Sequence, residues 1–274
     1  MTRLLLSVLA ILVILALPGN ASARDNAGVV QLRTTPTGLR PDAAYLLMTV
    51  SKAKSGMLAI QPVMLRIPTA EESSAYLAAK KAAYAAALPG LVKKAKGNPV
   101  PNIDEFEFNF SGKANSFVVK NGEFLEDGEM RTVLLEVPPG TYILYGITLQ
   151  QGLITCNCLG TVMFAARPGV ITHVGAIYTD KVHKASPLPH LEDNLGASMF
   201  QYGFVLGEAL VPADATTAVP ASLKSLPLEL AQFDVVGEYY EPGAVSINRL
   251  APIPGLLSYQ RGRAVDARTG KLAE

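Results

Sequence analysis

Met130-Arg131-Thr132-Val133-Leu134-Leu135-Glu136-Val137 runs into Pro138-Pro139-Gly140 and continues as Thr141-Tyr142-Ile143-Leu144-Tyr145-Gly146-Ile147-Thr148-Leu149. Both flanking runs are rich in β-branched, aromatic and aliphatic residues and have the length of strands. The proline presets φ for the first central turn position, and the glycine accepts the positive φ that a type II turn needs at the second. Pro168-Gly169, Pro242-Gly243 and Pro254-Gly255 repeat the device between apolar segments. Working outward, Val29–Arg33, Ala43–Val50, Leu58–Ile67, Asn115–Lys120, Gly160–Ala166 and Val170–Thr179 read as further strands. Glu105-Phe106-Glu107-Phe108-Asn109-Phe110 alternates strictly, the pattern of a half-buried strand. Short strands at this spacing predict a mainly β protein, an antiparallel β-sandwich from about Val29 to Asp180.

One segment departs from this texture. Thr69 to about Leu88 is rich in alanine and other helix formers, and Thr69 with Glu72 fits a capping box. Pro89-Gly90 is the predicted stop. Leu77, Tyr84 and Leu88 form a narrow stripe suited to lying on a sheet. The nearby Lys80, Lys81, Lys93, Lys94 and Lys96 suit a solvated face, the alternative being a membrane or partner contact. After Lys181 the chain turns loop-like over Lys184–Asn194 and Pro212–Pro227, with short apolar pieces at Gln201–Leu206, Ala231–Val236 and Leu250–Gln260. The predicted organisation is a signal peptide over 1–23, a sandwich over 24–180 with a helical insertion near 69–97, and a loop-rich, irregular C-terminal extension over 181–274 packed on it.

The 274 residues are 49% hydrophobic and only 17% charged, with mean hydropathy +0.26, which excludes wholesale disorder. A net charge of +1 offers no phosphate-tracking surface and argues against a nucleic-acid partner. Met1, Thr2 and Arg3 precede an uncharged run from Leu4 to Leu17, then Pro18-Gly19 and the small residues Ala21-Ser22-Ala23. This order of parts is that of a secretory signal with cleavage after Ala23. As a helix those 14 uncharged residues would span about 21 Å, against roughly 30 Å of bilayer hydrocarbon. The expected protein is exported, periplasmic or secreted, with no transmembrane segment after signal removal.

The chemistry available to such a chain is sparse. Cys156-Asn157-Cys158 holds the only two cysteines. Export favours a disulfide between Cys156 and Cys158, which requires a turn at Asn157 because a regular strand holds the two Cβ atoms too far apart. An inert thiol pair, a soft-metal site for Cu(I) or Zn(II) and a redox couple are the competing readings, so Cys156 and Cys158 are also the candidate metal ligands. His173 falls on a strand as a hydrogen-bonded surface residue, and His183 and His190 fall in proline-containing loops, with no ligand spacing joining the three. Asp104, Glu105 and Glu107 read as a solubilising edge, and Arg261, Arg263, Asp266 and Arg268 as surface. No nucleophile elbow, phosphate loop or zinc helix occurs, so no catalytic residue and no cofactor is assigned.

Val137-Pro138-Pro139-Gly140-Thr141-Tyr142, followed by Pro168-Gly169-Val170-Ile171-Thr172-His173-Val174-Gly175, resembles uncharacterised exported bacterial domains. Those domains carry a PPGxY strand entry and a later PGxxxxxG strand, often on lipoproteins. The resemblance covers about Met130–Thr179 and implies an immunoglobulin-like sandwich. It implies no activity, and this chain has Arg24, not a lipid-bearing cysteine, directly after Ala23. The expectation is a non-enzymatic exported protein that binds an envelope protein or cell-wall component. A metal or redox module at the cysteines and a glycan-processing enzyme are the alternatives.

Overall fold

The computed structural model describes residues 27–52, 60–120, 124–127, 130–149, 154–156, 160–178, 209–237, 250, 252–260 and 263–273. The described residues are mainly β, with one α-helix and three sheets. In order, the elements are β1 (Val30–Leu32), β2 (Ala44–Ser51), β3 (Ile60–Arg66), α1 (Ala70–Ala95), β4 (Ser116–Val118), β5 (Leu125–Asp127), β6 (Met130–Val137) and β7 (Gly140–Leu149). They continue with β8 (Ile154–Cys156), β9 (Val162–Ala166), β10 (Ile171–Tyr178), β11 (Ala209–Pro212), β12 (Leu228–Leu230), β13 (Phe233–Val235), β14 (Leu257–Gln260), β15 (Arg263–Asp266) and β16 (Lys271–Leu272).

The first sheet has the order β1-β6-β2-β10-β11, with β12 on β10 and β5 on β6; the second has β13-β9-β7-β3-β4, with β8 on β7. β14, β15 and β16 form the third. The Pro138-Pro139 turn therefore carries the chain from one sheet into the other instead of closing a hairpin. The first sheet is mixed, which corrects the antiparallel expectation: β10 runs parallel to both β2 and β12. Local alternation and turns fix which residues form strands, but a neighbour that arrives from the other sheet can enter in either direction.

One core cluster draws on both large sheets, joining Leu46, Met48 and Leu135 of the first to Met64, Tyr142 and Phe164 of the second. On the opposite face of the first sheet, Tyr45, Leu47, Leu134 and Ile171 pack with Leu223. Successive β2 residues thus point into two apolar environments, which is why Tyr45-Leu46-Leu47-Met48 shows no polar alternation. Each such fully buried large side chain contributes about 1.5–3 kcal/mol relative to exposure.

Within the C-terminal third, described residues add strands to both large sheets. β11 and β12 extend the first sheet, and β13 extends the second by pairing with β9. Gly175 permits the β11 contact. It has φ +110 beside the register shift in β10, and a Cβ there would lie 2.2 Å from the Val211 carbonyl oxygen. Arg268 fastens the third sheet, ion-pairing Asp266 at 2.7 Å and donating to the Phe233 carbonyl at 3.0 Å.

Candidate interaction site: the helical arm

β3 ends at Arg66, and this side chain sets the departure of the chain from the sheets. Its guanidinium is buried, pairs with Glu72 at 2.5 Å and donates to Asn115 Oδ1 at 2.7 Å. A guanidinium does not deprotonate, so at this depth it requires such acceptors. The Arg66 amide donates to the Asn115 carbonyl and the Ile67 amide to the Thr141 carbonyl, both at 2.8 Å. The outgoing and returning chains are thereby tied together at one point.

Glu72 has a second duty. Its Oε2 accepts from the Thr69 amide at 2.9 Å while Thr69 Oγ1 accepts from the Glu72 amide at 3.1 Å, the predicted capping box. Burial opposes ionisation of Glu72, but the hydrogen bonds from Arg66 and the Thr69 amide outweigh it and hold the carboxyl below its ordinary range.

From this root α1 extends 26 residues, about 39 Å at 1.5 Å per residue, and none of its residues is buried. It does not lie on a sheet, contrary to the expectation from its Leu77–Tyr84–Leu88 stripe. Nor does it stop at Pro89-Gly90: both residues are inside the helix, which closes at Lys96 in the left-handed conformation. Proline lacks an amide, so the Ala85 carbonyl has no helical donor four residues on.

The chain returns alongside the helix, and here the Glu105–Phe110 alternation finds its partner. The segment belongs to no strand, correcting that expectation. Its phenylalanines face the helix tyrosines: Tyr84–Phe106 centroids are 5.3 Å apart, Tyr76–Phe108 5.5 Å and Tyr76–Phe110 5.2 Å. Such pairs are worth about 0.5–1.5 kcal/mol each beyond area burial. Tyr84 Oη donates to the Pro101 carbonyl at 2.9 Å, and Lys80 Nζ to the Asp104 carbonyl at 3.0 Å. An extended backbone places alternate side chains on opposite sides whether or not it joins a ladder.

This return path covers one side of α1 and leaves the other open. Ser74, Leu77, Ala78, Lys81, Ala85, Leu88 and Val92 are all exposed, Leu77 at 54% and Val92 at 55%. Glu71 marks the root of this open face, and Lys93 and Lys96 mark its tip. The sequence reading found Leu77 and Leu88 but missed Ser74, Ala78, Ala85 and Val92, because alanine and serine give almost no periodic signal.

The other residues singled out in the sequence do not converge. Cys156 is on β8 with its backbone opposite Ile147, whereas Cys158, Ala23, His183, His190 and Arg261 lie outside the described residues. The state of the cysteine pair is therefore not described. Asp104, Glu105 and Glu107 belong to the returning side of the arm; Asn102 Oδ1 accepts from the Asp104 and Glu105 amides. His173 is 2% exposed, not the surface residue expected, and its Nδ1 has no hydrogen-bond partner. Burial pushes its pKa down. Among the described residues, no group of three or more His, Cys, Asp or Glu side chains could hold a metal, and no helix is long and apolar enough to cross a membrane. No protein-family model, curated protein or solved structure matches the chain.

Proposed function

We propose that this chain is an exported, non-enzymatic β-sandwich protein that binds an envelope or protein partner, with the helical arm as its contact element. The shared core of the two large sheets and the crossing from β6 to β7 support the sandwich reading, and the Leu4–Leu17 run followed by Ala21-Ser22-Ala23 supports export. The single observation that carries the binding role is a helix of 26 residues with no buried side chain, fixed at its root by the ion pair of its Glu72 with the buried Arg66. Ordering backbone costs about 1–2 kcal/mol per residue. Most helices recover that cost by burying an apolar face in their own core, and α1 leaves Leu77, Leu88 and Val92 outside.

The test is site-specific photo-crosslinking in the native compartment, with the probe at Val92 on the open face or at Lys224 on the body. The expected result is a discrete crosslinked species from Val92 that disappears in a Leu77→Glu/Leu88→Glu background. Equal labelling from both positions, or substrate turnover by a protein with no stable partner, refutes the proposal.

A further inference from the structure

The open face of α1 has a regular order. Ser74, Ala78, Lys81, Ala85, Leu88 and Val92 recur at alternating steps of four and three, the seam of a two-helix coil, and all six are exposed. Read against itself in the opposite direction, this seam is self-complementary. Ser74 falls opposite Val92 of a second copy, Ala78 opposite Leu88, and Lys81 opposite Ala85, so each layer sets a small residue against a large one. The charges agree with the same register. Glu71 at the root comes beside Lys93 and Lys96 at the tip of the second copy, and two-fold symmetry supplies this pairing twice. Parallel alignment would instead put Leu88 on Leu88, Ala78 on Ala78 and like charges together.

Lys81 is the one polar side chain in the middle of the seam, and the helix supplies a reason for it. Its opposite residue is Ala85, whose carbonyl lacks a helical donor because residue 89 is proline. In the antiparallel pair the Lys81 ammonium reaches that carbonyl, which uses a donor and an acceptor otherwise left to water.

We infer that the arm pairs antiparallel with the arm of a second copy through Ser74, Ala78, Lys81, Ala85, Leu88 and Val92. This inference rests on the arm being the binding element and names the partner as the same chain. The face is about 30 Å long and roughly 10 Å wide, near 300 Å² per copy, well below the roughly 800 Å² per partner of a standard stable interface. The dimer is accordingly weak and exchanges rapidly.

The experiment is light scattering and sedimentation of the full mature chain from low concentration to the order of 100 μM. Expected is a rise from one to two chain masses. Leu88→Glu/Val92→Glu, at positions already in water, should keep the wild-type melting temperature and remain at one mass throughout. Glu71→Lys should weaken dimerisation, and combining it with Lys93→Glu/Lys96→Glu in the same chain should restore it, since only antiparallel self-pairing reunites those charges. A dimer that survives Leu88→Glu/Val92→Glu, or a charge swap that fails to rescue, overturns the inference. A wild-type monomer over the whole range also overturns it. If that monomer co-sediments with anionic phosphatidylglycerol vesicles through Leu88 and Val92, the occupant is a membrane; the self-pairing inference falls and the arm remains a binding element. If the Glu variants change no contact of any kind, both readings fall together.

Discussion

Replacing Gly175 with alanine should loosen β11 from β10 and destabilise the whole protein. The new Cβ would lie 2.2 Å from the Val211 carbonyl oxygen, 2.5 Å from the Ala213 nitrogen and 2.8 Å from the Pro212 carbonyl carbon. All three are backbone atoms, so no side-chain rotation relieves the overlap, and the strands must separate. The residue also has φ +110, which costs a non-glycine residue about 1–3 kcal/mol. Separation weakens a ladder registered from Gly175 opposite Pro212 to Tyr178 opposite Ala209, at about 0.5–1.5 kcal/mol for each hydrogen bond lost. Strain plus two such bonds gives about 2–6 kcal/mol, or a melting temperature lower by roughly 4–24 °C for a chain of this size. The assay is thermal unfolding followed by far-ultraviolet circular dichroism. Gly38→Ala serves as the control, because no atom lies within 4 Å of its added Cβ. A Gly175→Ala protein that melts with the wild type would refute the close approach of β10 and β11.

The same substitution should act in the opposite direction at Gly90, which lies inside α1 with open space around its Cβ; Gly90→Ala should raise arm helicity and stabilise by about 0.5–1 kcal/mol, measured by circular dichroism and hydrogen exchange. Glu72→Ala removes the capping box and leaves the Arg66 guanidinium buried without its carboxylate, so it should cost about 2 kcal/mol and speed amide exchange in the first turns of α1. Unchanged exchange there would show that the arm is held by other contacts. His173 should make the protein acid-sensitive. Its folded pKa is lowered by burial, so the unfolded chain binds the extra proton first, and stability should fall as pH drops below the ordinary histidine value of about 6.5 toward the depressed folded value. His173→Gln should remove that part of the slope in urea titrations between pH 7 and pH 5.

The long strands of the two large sheets were legible in the sequence because their signals are local, whereas the short β5, β8, β11 and β12 were not read as strands. Met130–Val137 occurs as read, and Val170–Thr179 appears as Ile171–Tyr178, since β-branched runs bounded by Pro-Gly commit the backbone whatever it packs against. The capping box was equally legible, being closed by residues three apart. Direction, sheet membership and burial were not, because they depend on what arrives from elsewhere in the chain. β10 became parallel to β2 once tertiary structure set it between β2 and β11, and His173 became buried in that strand, with Leu47 of β2 and Leu230 of β12 as its register partners. The phenylalanine alternation correctly sorted side chains to two sides, but only the fold could decide that the apolar side meets Tyr76 and Tyr84 of a helix instead of a sheet. Likewise, α1 runs through Pro89-Gly90 although both residues disfavour a helix interior. Aromatic contacts and the Tyr84 and Lys80 hydrogen bonds hold the helix to its return path up to that point, and tertiary contacts of this kind outweigh the preference of one proline and one glycine. The sequence by itself determined the long strands, their turns and the start of the helix, through forces that reach a few residues; where the helix ends, and which face stays in water, was decided by contacts between residues tens of positions apart.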